Sequence, residues 1–272
     1  KRFTRILYPF IAWCIAYAVY YVFYRGDSWS TCLLNIIHIP VNFGVEVGHL
    51  WYIYMLIGMY LLVPIVSPWL EKCSKKELQL YLLLWGITTF LPYIHLVYPQ
   101  VWGEASWNMS PALYYFTGFW GYLLLGFYAK KYGPASTLSS ILMILVGYAV
   151  TVFAFNSRIA IVTSAVDVEV GWDFCSINVA LMTWGFFSLI SKIKAPKNRK
   201  AVAIITDISA CSYGMYLAHI IVLNAWHDLL GAHFTSVLVA VPVMAVLTFV
   251  AIYAIVKALS FLPKAKYWLG TN

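Results

Sequence analysis

The chain has 272 residues, 62% of them apolar and only 10% charged, with a mean hydropathy of +0.79 and a net charge of +8. Soluble domains carry about a quarter charged residues, so this composition excludes a water-soluble globular fold and places the chain in a bilayer. Its 12 Trp and 21 Tyr suit the two membrane interfaces, where such rings settle.

Apolar spans are predicted at residues 6–24, 50–70, 78–98, 112–129, 138–155, 174–190, 203–226 and 237–262. A crossing needs roughly 20 residues, so the expected fold is all-α, one polytopic helical bundle of about eight transmembrane helices forming a single domain over 1–272. Pro64 and Pro68 are expected to end or kink the second span. The outer segment 32–43, CLLNIIHIPVNF, is unusually apolar for a loop and is expected to dip back into the membrane over a cavity.

The connections alternate in charge. Lys1, Arg2 and Arg5 precede the first span, Lys72, Lys75 and Lys76 follow the second, and Lys130 and Lys131 follow the fourth. Lys192, Lys194, Lys197, Arg199 and Lys200 follow the sixth, and Lys257, Lys264 and Lys266 close the last, so of all Lys and Arg only Arg25 and Arg158 fall on the other side. The positive-inside rule then makes both termini cytoplasmic. The acids are biased the other way, with Asp27, Glu46, Glu104, Asp167, Glu169, Asp173 and Asp228 outside and Glu71, Glu77 and Asp207 inside. A basic cytoplasmic face attracts a polyanionic cosubstrate or acidic lipid, but topology alone produces the same bias, so net charge identifies no ligand.

The opening KRFTRILYPF lacks an initiator Met and a secretory signal, as expected of a piece of a longer protein. Cys14, Cys32, Cys73, Cys175 and Cys211 form no CxxC pair; Cys32 and Cys175 fall in or near outer regions where oxidation could join them, although no sequence feature brings them together. The histidines at 38, 49, 95, 219, 227 and 233 form no metal-binding spacing, and no P-loop or GxGxxG turn is present.

The seventh span carries SACSYGMYLAHIIVL, residues 209–223. Ser209, Ser212, Tyr216 and His219 are spaced three, four and three apart and share one helical face, with His219 about 15 Å farther along the axis than Ser209. In hydrocarbon such a stripe must look at other helices or a wet cavity. Ser and Tyr commonly serve there as packing glue, whereas an ionisable His at membrane depth marks pathways and active sites and can act as acid or base. The stripe alone leaves both roles open.

ISACSYGMYLAH resembles the penultimate-helix motif Ile-Ser-Tyr-Gly-x-Tyr-Leu-x-His of the acyltransferase-3 family of integral membrane O-acyltransferases. Three further segments resemble the family in its own order: GHLWYIYMLIGMYLLVPI from Gly48, YYFTGFWGYLLLGFYAKK from Tyr114, and SINVALMTWGFF from Ser176. The resemblance implies an enzyme of the bacterial inner (plasma) membrane. It would move an acetyl or other short acyl group from cytoplasmic acyl-CoA to a hydroxyl on an envelope or exported glycan.

Acetyl-CoA would be a cosubstrate, with no permanently bound cofactor, no metal and no nucleic acid among the partners, which are acyl-CoA, the hydroxyl acceptor and the bilayer. His219, Ser212, Tyr213 and Tyr216 are the expected catalytic group, with the hydroxyls as oxyanion donors. Arg2 and Arg5 resemble the family's paired arginines and suit the phosphates of CoA, although they equally suit cytoplasmic anchoring. Glu46, His49 and Trp51 are the expected acceptor-binding residues, with Trp51 equally suited to anchoring at the interface.

The family's general base follows a basic residue by ten residues and a His. Here His38 has Asp27 eleven residues before it and His49 has His38, so the resemblance implies that two N-terminal helices and the base precede residue 1. A polytopic transporter or flippase for a lipid-linked or glycan substrate is the alternative, since it too would show many spans and an inward polar stripe.

Overall fold

The computed structural model describes residues 2–98, 113–162 and 166–271; the side chains of Arg2, Phe3, Tyr114, Val166 and Asp167 lie outside the description. Every regular element among the described residues is helical: α1 (Arg2–Tyr24), α2 (Trp29–Ile37), α3 (Phe43–Glu46), α4 (Trp51–Lys72), α5 (Lys75–Thr88), α6 (Leu91–Val97), α7 (Trp120–Tyr132), α8 (Thr137–Ile159), α9 (Ile177–Ile190), α10 (Arg199–Leu230), α11 (Val237–Leu259) and α12 (Ala265–Trp268). The all-α polytopic reading therefore stands. Among the described residues, six helices are long and apolar enough to cross a membrane: α1, α4, α5 with α6, α8, α10 and α11. Of the eight expected spans, the fourth and sixth are shorter helices, α7 and α9.

Local chemistry sets the boundaries. The Ser74 hydroxyl accepts from the Glu77 N–H at 3.2 Å while the Ser74 N–H donates to Glu77 Oε2 at 2.7 Å, a reciprocal cap that starts α5. Ser28, Ser136 and Asn198 cap α2, α8 and α10 in the same sense. The third expected span is divided because the Thr88 and Thr89 hydroxyls take the Trp85 and Gly86 carbonyls at 2.6 Å, and Pro92 offers no N–H to Thr88.

One expectation is narrowed and one corrected. α4 runs unbroken through Pro64 and Pro68, so neither proline ends it. The two stand four residues apart, which confines the lost backbone bonds to one side of the helix, and membrane helices accommodate such prolines. The fourth span begins at Trp120 rather than residue 112, after a short 3-10 turn at Tyr114–Phe116; residue 112 itself, like Glu104, lies outside the described residues. All five cysteines are free thiols, Cys32 and Cys175 included.

The chain divides into two compact units, Lys1–Pro64 with Ala195–Asn272, and Ile65–Lys194, and α4 passes from one to the other at Pro64. In the first, α1 is the core helix: Phe10, Cys14, Tyr17, Ala18 and Tyr21 are buried against Cys32, Ile39, Phe43, Val47, Leu50, Ile53 and Leu217. The apolar segment 32–43 is helical as far as Ile37, turns over residues 38–42 and packs on α1 through Cys32, Ile39 and Phe43, with Tyr54 donating to the Ile39 carbonyl and accepting from the Gly44 N–H at 3.1 Å. In the second unit, α8 and α9 pack backbone to backbone. A Cβ on Gly147 would stand 2.5 Å from the Asn178 carbonyl oxygen, a separation that only glycine tolerates.

Candidate active site

α10 carries the serine–tyrosine–histidine stripe and is held along one side by the tyrosines of α1. Tyr213 Oη donates to the Ile6 carbonyl at 2.8 Å, Tyr17 Oη to the Leu217 carbonyl at 3.0 Å, and the Asn224 amide to Tyr20 Oη at 3.3 Å. Residue numbers rise together along both helices, so α1 and α10 run parallel, as helices that start from the same side must. Gly214 sits where the C-terminal segment crosses α10. A Cβ there would lie 2.6 Å from the Leu269 carbonyl oxygen and 3.2 Å from Val256, so the glycine of the motif is required by packing.

On the C-terminal half of α10 the segment before α4 closes the site. His49 lies with its ring centroid 4.6 Å from that of His219, 5.4 Å from Tyr216 and 5.7 Å from Tyr17. Tyr216 Oη donates to the His49 carbonyl, and Tyr52 stacks edge-on against Tyr216 at 5.9 Å. Two histidines far apart in sequence thus share one aromatic chamber.

The hydrogen bonds fix the tautomers. His49 Nε2 is 3.3 Å from the Leu217 carbonyl and His219 Nδ1 is 2.7 Å from the Tyr216 carbonyl. A carbonyl can only accept, so each of these nitrogens carries the proton, and in the neutral ring the lone pair falls on His49 Nδ1 and His219 Nε2. His49 Nδ1 is buried without a hydrogen-bond partner. Burial, with the neighbouring His219 adding to it, holds His49 down at about 4, so the ring is neutral at physiological pH. An unpartnered basic nitrogen beside a second imidazole can receive a proton or a hydrogen bond from a hydroxyl brought into the chamber.

His219, Tyr216 and Ser212 open onto a groove of about 840 Å³ between α10 and α11, whose walls are mainly apolar and include Met215, Met244 and Phe249. Thr248, on the α11 wall, has a buried hydroxyl with no partner. The stripe is less uniform than its spacing suggests: Ser209 and Ser212 are exposed, and Ser212 Oγ donates back to the Ser209 carbonyl at 2.8 Å. Tyr213 points to α1, away from the chamber. Trp51 begins α4 next to Tyr52, their rings 6.1 Å apart, and Glu46 is exposed at the end of α3. Arg5 is exposed in the first turns of α1, and Arg2 contributes its backbone there, its side chain lying outside the description.

Tyr17, Tyr52 and Thr248 are the site residues that periodicity missed. The signal for Thr248 was available as one of three hydroxyls, with Tyr253 and Ser260, within the most apolar span, whereas Tyr17 was hidden in a run of tyrosines. No group of three or more His, Cys, Asp or Glu among the described residues is placed to hold a metal ion.

A family model described as an acyltransferase domain matches residues 1–257 of the chain, which therefore belongs to the acyltransferase-3 family. No curated protein and no solved structure matches it.

Proposed function

We propose that this multi-pass membrane acyltransferase moves an acetyl or other short acyl group from cytoplasmic acyl-CoA to a hydroxyl of an envelope or exported glycan, at the inner membrane of a bacterium. The observation that carries the reading is the contact of His49 with His219 in a tyrosine-walled chamber of a chain belonging to an acyltransferase family.

The chemistry is ester formation from a thioester. The acceptor oxygen forms a bond to the acyl carbon, the carbon–sulfur bond breaks, the hydroxyl proton leaves to a base, and the thiolate takes up a proton. His49 Nδ1 is oriented by the bond that Nε2–H makes to Leu217, and it receives the acceptor hydroxyl's hydrogen bond. His219, 4.6 Å away, passes the proton on or holds the acceptor in place. Ser212 faces the groove with the hydroxyl best placed to turn toward a developing oxyanion, since it gives up only a bond to its own helix. Tyr216 shapes the chamber by holding the His49 backbone, and Tyr213 positions α10 on α1. Glu46 and Trp51 flank the acceptor's approach, and the start of α1, which carries Arg2 and Arg5 in its sequence, receives the donor's phosphates.

The test is acyl transfer in membranes carrying the protein, supplied with labelled acetyl-CoA and an envelope glycan extract. Label entering the glycan fraction is expected. No label entering any hydroxyl acceptor, across several acyl donors, would overturn the reading.

A further inference from the structure

A second, smaller cavity stands on the same helix pair, far from the histidines. It encloses about 370 Å³, within the range of small-molecule sites, and its polar lining is Asp207, Lys257, Ser260, Lys264, Lys266 and Thr271. Asp207 lies twelve residues before His219 on α10, about 18 Å along the axis.

The charges do not cancel. Both oxygens of Asp207 are occupied, Oδ1 by Lys257 Nζ and Oδ2 by Tyr253 Oη at 2.5 Å. That leaves Lys264 and Lys266 without a carboxylate partner among the described residues, and Lys266 is steadied by the Tyr267 ring at 5.0 Å. Lys264 adopts a left-handed backbone, φ 56°, which for a residue with a Cβ persists only where the surroundings hold it. They do so here: Ala265 and Leu269 are buried against α10 and α11, and the Trp13 indole donates to the Leu269 carbonyl at 3.4 Å. The lysines are therefore carried on a segment fixed in place.

A preformed pocket with two ammonium groups that no carboxylate among the described residues compensates, and hydroxyls beside them, matches an oxyanion of more than one charge. We propose that this pocket binds the phosphate group of a small ligand. Two sources present that chemistry, the nucleotide phosphates of coenzyme A and the phosphodiester headgroup of an anionic phospholipid. The inference rests on the pocket's own charge and does not need the acyl donor to be coenzyme A. Were the ligand coenzyme A, the 18 Å or so to His219 is of the order of an extended pantetheine arm.

The protein is reconstituted in nanodiscs of phosphatidylcholine, with or without added phosphatidylglycerol, and its lysines are titrated with an amine-acylating reagent read by mass spectrometry. Coenzyme A in neutral discs, or phosphatidylglycerol without coenzyme A, should slow modification of Lys264 and Lys266 several-fold relative to exposed Lys194, and the arm that protects identifies the source. A paired substitution, Lys264→Gln with Lys266→Gln, should weaken that ligand about tenfold or more, as expected for losing charged hydrogen bonds. Equal reactivity of all three lysines in both arms overturns the inference, and because the footprint uses the unaltered chain, it does so whether or not the paired variant folds.

Discussion

Asn178 in the second unit and His49 in the first are both set among polar side chains in an apolar protein, and they are finished differently. Asn178 is fully buried and its amide is fully engaged: it donates to the Gly171 carbonyl at 2.7 Å and Thr151 Oγ1 at 2.8 Å, and accepts from Ser176 Oγ at 2.7 Å and Tyr93 Oη at 2.8 Å. His49 has one ring nitrogen satisfied and keeps the other, Nδ1, buried and unpartnered. Leaving a buried polar atom unpaired costs about 1–3 kcal/mol, so a fold tolerates it chiefly where a ligand will complete the set. The Asn178 knot is finished without a ligand and reads as architecture, whereas the His49 chamber is unfinished and reads as a site.

The histidines should show the largest effects if that contrast is right. His219→Ala and His49→Gln should each reduce acyl transfer by about 10²–10⁴-fold, the ordinary yield of a positioned acid or base, with the protein still inserted and monodisperse. Gln at 49 can still donate to Leu217 but has no basic nitrogen, so it separates chemistry from packing. Full activity in either variant would take that residue out of the mechanism.

Asn178→Ala should do the reverse. It strands the Gly171 carbonyl and takes one partner from each of the hydroxyls of Thr151, Ser176 and Tyr93, which keep the Gly147, Asp173 and Val170 carbonyls, and should destabilise the protein by about 1–3 kcal/mol, read as a lowered unfolding midpoint in detergent. The rate per folded molecule should stay within about twofold, since general acid–base loss would be far larger. A large rate loss with unchanged stability would dissolve the distinction between the two clusters.

Gly214→Ala tests the border between them, because this glycine belongs to the motif yet serves packing. Its methyl group meets the Leu269 carbonyl oxygen at 2.6 Å, so the C-terminal segment must shift, at about 1–3 kcal/mol for an overpacked contact. The unfolding midpoint should fall, with residual acyl transfer in whatever remains folded.

Much of this was legible beforehand. All eight apolar spans correspond to helices, because hydrocarbon demands closed backbone hydrogen bonding and leaves a strong compositional trace. The stripe on α10 and the motif around it pointed to Tyr216 and His219, and the resemblance pointed to His49. What spacing could not supply was the contact between His49 and His219, which depends on how the segment before α4 folds back over α1. Periodicity likewise gave no warning that Ser209 and Ser212 are exposed or that Tyr213 turns away to α1, since neighbouring structure decides each. The basic pocket was invisible because Asp207, Lys257 and Lys264 come from three separate elements and form a set only in space.

The last effect concerns protonation. Burial holds the folded-state value of His49 at about 4, below the roughly 6.5 of a free imidazole. Between those two values the unfolded chain binds a proton that the folded chain does not, so lowering the pH favours unfolding. Stability contributed by neutral His49 is complete above about pH 6.5, declines as pH falls toward 4, and is constant below it. The slope cannot exceed one proton, about 1.4 kcal/mol per pH unit. Unfolding midpoints of the wild type and His49→Gln between pH 7 and pH 4 measure it by difference. A difference that narrows on acidification, because the wild type loses stability faster, is the expected result. Parallel curves would mean that His49 protonates as readily in the folded protein as in water, and the chamber would then lose its claim to a neutral base.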